Sequence, residues 1–135
     1  MDNKTISSWI RQARYRATKR DIYNDLQIAD VRTIIDECKG ACAYCDKSKE
    51  CWGKKADILD HPFPLSETTP NVPANVLPVC KSIKAEKKNN DLAWLFSTGI
   101  IEQDTYLAIL KSMLQRRGGE IIKQHVKTIT GIQDK

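Results

Sequence analysis

All five prolines of this chain fall between residues 62 and 78, at Pro62, Pro64, Pro70, Pro73 and Pro78. Proline fixes φ and removes a backbone donor, so no regular helix crosses that stretch. The sequence therefore predicts a long irregular loop in the middle of the chain, with helical sequence on both sides. A loop of that length inside a compact domain is uncommon and is usually functional. At 135 residues, 41% of them hydrophobic and 29% charged, the chain has the size and balance of one globular domain with a modest core.

Residues 5–25 are predicted to form a helix with a basic face, in which Arg11, Arg14, Lys19 and Arg20 are interleaved with Trp9 and Tyr15. Arginines beside aromatics suit phosphate contact and stacking; the same pattern equally describes a solvated helix face with Trp9 in the core. In residues 28–38, Val31, Ile34, Ile35 and Cys38 recur at helical spacing, which makes Cys38 a core thiol. Lys39-Gly40 supplies the left-handed cap. Cys42-Ala43-Tyr44-Cys45 reads as a knuckle whose loop is basic through Lys47, Lys49, Lys54 and Lys55, and Ala56 to Leu59 leads into Asp60-His61 as a short strand. Beyond the loop, residues 81–90 form a short basic helix and 91–98 an apolar segment. Residues 100–115 form an amphipathic helix with Tyr106, Ile109, Leu110, Met113 and Leu114 on one face, a core face by default or else a dimer seam. Gly118-Gly119 breaks it before a last helix over 121–129, and Gly131 onward frays.

The net charge of +5 is compatible with a polyanionic partner without requiring one. No run approaches the ~18 apolar residues that a membrane span needs, and the polar, Arg-rich start lacks the apolar core of a secretory signal. The expectation is a cytoplasmic protein with no membrane partner. In that compartment five cysteines are metal ligands or core thiols rather than disulfides.

Chemistry concentrates in the loop. Histidine titrates close to neutrality and can take a proton from water. Asp60 stands beside His61 and offers a carboxylate to a divalent cation. Asn75, fourteen residues beyond His61, carries both a donor and an acceptor with which to tie a loop down; Asn71 is the alternative. Read in order, Cys42-x-x-Cys45, Asp60-His61-x-x-Pro64-Leu65, Asn75, Cys80 and Lys87 resemble the HNH endonucleases.

That resemblance covers residues 40–91 and implies an α+β, mostly helical single domain over 1–135. Its ββα-metal core (40–91) would be flanked by N-terminal basic helices (5–38) and C-terminal helices (92–130). It implies a metal-dependent endonuclease of the small phage or mobile-element type, nicking duplex DNA as a monomer or homodimer. His61 would be the general base, Asn75 its orienter, and Asp60 and Asn89 the ligands of Mg²⁺ or Mn²⁺. Cys42, Cys45 and Cys80 would belong to a structural zinc site, and Arg11, Arg14, Lys84 and Lys87 would contact phosphates. Two positions depart from the pattern. Ile83 stands where a fourth zinc cysteine is expected, so either Cys51 substitutes or the three cysteines pack without zinc. Lys84 stands where a His or Asn usually completes the catalytic metal site. A catalytically degenerate HNH-like nucleic-acid-binding protein is therefore the alternative, and a basic partner of an acidic protein a third reading.

Overall fold

The computed structural model describes residues 1–45 and 53–130. Six helices and a two-stranded sheet follow one another as α1 (Asn3–Lys19), α2 (Ile28–Glu37), β1 (Ile58–Asp60), β2 (Leu77–Val79), α3 (Lys81–Lys87), α4 (Leu92–Ser97), α5 (Gln103–Leu114) and α6 (Gly119–Thr130). The class is α+β and mostly helical. Two single 3₁₀ turns, Leu65–Glu67 and Pro73–Asn75, punctuate the Pro-rich loop, so the absence of a regular helix there holds.

The antiparallel pair β1–β2 lies between two apolar clusters, with Ile58 opposite Val79, Leu59 opposite Pro78 and Asp60 opposite Leu77. Successive strand residues face opposite sides. Leu59 and Val76 accordingly enter the N-terminal cluster with Ile6, Ile10, Leu26, Val31 and Ile34 of the α1–α2 pair. Leu77 and Val79 enter the C-terminal cluster with Phe63, Leu92, Leu95, Ile109, Met113 and Ile122. All three residues of β2 are therefore buried, which hides the two-residue alternation from a reading of hydropathy. Pro78 still fits, because its carbonyl accepts from Ala43 N–H at 2.9 Å. Tyr106, Leu110 and Leu114 pack half-buried against the C-terminal cluster, so this face of α5 belongs to the core.

Three boundaries differ from expectation. α1 stops at Lys19, six residues before the predicted end, although no glycine marks the place. Asp21 takes the left-handed conformation (φ 54°) while Ile22 N–H bonds Ala17 O and Asp21 N–H bonds Thr18 O, a Schellman cap built on an Asp. α2 closes in the same way with Lys39 (φ 54°) at the left-handed position and Gly40 following. β1 ends at Asp60, leaving His61 just past the strand, and Leu77 and Pro78, the end of the predicted irregular loop, form strand β2 with Val79. Lys47, Lys49, Cys51 and the segment from Gly131 onward lie outside the described residues.

The two halves are tied by charge. Arg117, between α5 and α6, reaches Asp30 Oδ2 at 2.6 Å and Asp25 Oδ2 at 3.0 Å, and Arg116 reaches Glu37 at 3.1 Å. The next residue, Gly118, has φ +89°, and a Cβ there would stand 2.7 Å from Val72 Cβ. Gly118→Ala therefore combines backbone strain with a clash and should cost about 2 kcal/mol or more in urea unfolding. Combining it with Val72→Ala should give a loss smaller than the sum of the two single losses, because the closer contact with Val72 Cγ2 is removed while only the Cβ contact stays.

Candidate active site

The end of β1, the N-terminal part of the loop, α3 and the C-terminal half of α1 converge on one pocket of about 140 Å³. Its walls include Asp60, His61, Lys84, Lys87, Lys88 and Asn89, with Arg16 of α1 and Arg20 at its C-cap. Five cationic side chains thus surround a single carboxylate.

Asp60 is 5% exposed. Its Oδ2 accepts from Tyr44 Oη at 2.7 Å and pairs with Lys87 Nζ at 3.1 Å. Lys87, 1% exposed, also donates to His61 O at 3.1 Å. A buried ammonium survives only when paired and hydrogen-bonded, and here both partners come from consecutive residues at the strand end. Lys84 Nζ donates to Leu59 O at 2.7 Å. Burial, together with Arg16 and Lys87, holds its ammonium below the usual lysine range despite the opposing pull of Asp60.

His61 lies under the indole of Trp9, ring centroids 4.7 Å apart, and its Nε2 is 2.8 Å from Asn71 Oδ1. Asn71 Nδ2 is committed as a donor to Asn24 Oδ1 at 2.6 Å, which leaves Oδ1 to face the imidazole. The network assigns the proton to Nε2 and the lone pair to Nδ1. Burial lowers the His61 pKa to about 3, and the positive charges of Arg16, Lys84 and Lys87 add to that effect while the Asn71 bond opposes it. His61 is therefore neutral near pH 7, with Nδ1 the ring atom able to accept a proton.

Asn75 is fully buried behind the pocket. Its Oδ1 accepts from Phe63 N–H at 3.0 Å, and its Nδ2 donates to Phe63 O at 2.8 Å and Pro70 O at 3.1 Å. It closes the loop on itself two residues past His61, while Asn71 is the side chain that holds the ring. Asn71 is fixed in turn by the backbone: its N–H bonds Tyr23 O and its carbonyl accepts from Asp25 N–H, both at 2.9 Å.

The structure thus brings Asp60, His61, Lys84, Lys87 and Asn89 together and sets Asn75 behind them. Arg11 lines a neighbouring groove, and Arg14 lies over Leu26 and Ile28, away from the pocket. Sequence reasoning missed Arg16 and Tyr44, and placed Arg20 and Lys88 only within basic helices without selecting them for the pocket. Helical spacing from Trp9 leads to Arg16 at i+7 and then Arg20 at i+11, but only a known partner for Trp9 would have selected that face.

Cys42, Cys45 and Cys80 form a buried group whose sulfurs lie within 4.8 Å of one another, and such a group can hold a metal ion. Cys45 Sγ is 3.7 Å from Cys80 Sγ, close to the ~3.8 Å that two thiolates share across a tetrahedral zinc with bonds of about 2.3 Å. Cys80 begins α3. Burial raises its pKa, but the Ser82 hydroxyl and the Ile83 and Ser82 N–H groups outweigh this and the thiol lies below its ordinary value. Burial pushes Cys42 up. Against the expectation of free thiols, Cys45 takes part in a disulfide, so metal binding by all three requires reduction. Among the described residues no fourth His, Cys, Asp or Glu joins them, and Ile83 is buried nearby. Cys38 caps the end of α2, half-buried, outside the group.

No helix among the described residues is long and apolar enough to cross a membrane. No protein-family model matches the chain, and no curated protein matches it.

The buried His61 has a stability consequence. Its pKa is depressed on folding, so the unfolded chain binds more protons between pH 6.5 and about 3. Stability is complete above pH 6.5 and falls as pH drops, by about 1.4 kcal/mol per unit well inside that window. Urea unfolding at pH 6.5 and pH 5 should show wild type losing about 2 kcal/mol more across this interval than His61→Gln, which lacks the titrating ring. An equal loss in both would show that His61 is not buried neutral.

Proposed function

We propose that this chain is an HNH-type endonuclease that hydrolyses a phosphodiester bond of DNA, nicking one strand per site, with His61 as general base. The observation that carries this reading is an imidazole, held through Nε2 by Asn71, on the wall of a phosphate-sized pocket lined by five cationic side chains. A water molecule would lose its proton to His61 Nδ1 while its oxygen bonds phosphorus. The ester oxygen leaves with the electron pair of the broken P–O bond and takes a proton from water. Arg16, Arg20, Lys84 and Lys87 would hold the non-bridging oxygens and stabilise the charge that grows on them, where donors fixed in advance are worth most. Asn71 would position the base and Asn75 the loop that carries it.

In the HNH pattern, Asp60 with Asn89 would bind Mg²⁺ or Mn²⁺. The arrangement of this chain does not fit that cation: Asp60 Oδ2 is already bonded to Tyr44 and Lys87, and Lys84 stands where a neutral ligand belongs. A divalent ion at Oδ2 would have to displace the Lys87 ammonium or the Tyr44 hydroxyl. This same pairing favours the second reading, an HNH-like fold that binds nucleic acid without cutting it.

A supercoiled-plasmid assay separates the two. Wild type should nick, and His61→Ala should nick 10²- to 10⁴-fold more slowly while still shifting DNA in a gel. Running each with Mg²⁺, Mn²⁺ or EDTA establishes whether a metal contributes. DNA shifted but never cut under any condition would leave only the binding reading.

We further propose that Cys42, Cys45 and Cys80 serve as structural zinc ligands, supported by their sulfur spacing and by the lowered Cys80 thiol. Protein purified under reducing conditions should carry close to one equivalent of Zn²⁺ by elemental analysis. Cys80→Ser should lose the metal, while Cys38→Ser should keep it. Metal-free wild type would end this assignment.

A further inference from the structure

Beside the pocket lies a larger groove of about 660 Å³, walled by Trp9, Arg11, Gln12 and Tyr15 of α1 and by Ile58. Arg16 and Lys84 line both recesses, so the two adjoin across these side chains. We propose that this groove seats an unpaired nucleobase next to the scissile phosphate, which makes the preferred substrate single-stranded DNA or a duplex with a base out of its stack. The inference rests on the reading of the adjoining pocket as the phosphodiester site.

The chemistry of the walls selects this occupant. Tyr15 is an aromatic ring with 65% of its surface exposed, on a helix whose other aromatic, Trp9, is half-buried against His61. Stacking on a base is a use for an exposed ring that needs no particular base, because every base has a π-face. Arg11 and Arg16 add guanidinium planes and charge, and Lys19 Nζ lies over one face of the Tyr15 ring, 5.7 Å from its centroid, so a base would stack on the other face. Gln12 offers a donor and an acceptor to a base edge. Base faces inside a duplex are covered by their neighbours, so only an extruded or single-stranded base can reach Tyr15. The position of the groove follows from the same logic: a nucleotide whose phosphate is held by Arg16 and Lys84 has its base within reach of the far side of those residues.

The test is fluorescence anisotropy in EDTA, which reads binding without cleavage, on four oligonucleotides of one sequence. They are a single strand, a perfect duplex, a duplex with one bulged nucleotide, and that duplex with the bulged nucleotide abasic. Wild type should bind the bulged duplex at least tenfold tighter than the perfect one and should lose about 5- to 100-fold on the abasic form, the range of one base–aromatic stack. Tyr15→Ala should erase the difference between base and abasic forms, and Tyr15→Phe should retain it. Because Tyr15 is exposed, neither change threatens folding. Equal wild-type affinity for bulged and abasic duplexes, or a difference that persists in Tyr15→Ala, overturns the groove assignment and leaves the phosphodiester reading intact. Failure to bind any of the four overturns both.

Discussion

The carboxylate of Asp60 is the point on which the centre of this fold depends. One of its oxygens receives the hydroxyl of Tyr44 and the ammonium of Lys87, joining the cysteine knuckle, the end of β1 and α3 around one buried charge. Removing one member of a buried ion pair leaves the other uncompensated at a cost of about 3–5 kcal/mol. The pair also fixes where His61 emerges, because Lys87 holds the carbonyl of that residue as well. Stability and the geometry of the pocket are therefore the same interaction seen from two sides.

The sheet shows how two small cores can share little secondary structure. Among the described residues, six strand residues separate the α1–α2 cluster from the α4–α6 cluster. A hairpin of that size is marginal alone. Here both faces are covered, and Arg116 and Arg117 clamp the outer helices across it.

Much of this was legible beforehand. α2 and α5 follow from apolar periodicity and the loop from its prolines, the apolar segment 91–98 proves to hold helix α4, and the convergence of Asp60, His61, Lys84 and Lys87 was what the family resemblance implied. What was not legible has physical causes. β2 is buried on both faces, so it shows no alternation and reads as more loop. α1 ends on an Asp in a conformation that usually announces itself with glycine. Asn71 and Asn75 are the same residue type four positions apart in one loop. Only tertiary placement reveals that one holds the imidazole and the other holds the backbone. Arg11 and Arg14 look as suitable as Arg16 and Arg20 until the face of α1 that carries Trp9 is known.

The hydrogen-bond chain from His61 through Asn71 to Asn24 ends in amides, and amides do not ionise near neutrality. A ring held by a carboxylate can share the positive charge it acquires; this one cannot. Nor can a proton arriving at Nδ1 leave from Nε2 along the chain, since the next atom is a carbonyl oxygen with no proton to pass on. Whatever His61 takes up must depart by the face through which it came. If His61 is the base of the proposed hydrolysis, the pocket would have to empty before it is restored, which would couple each proton to the release of product.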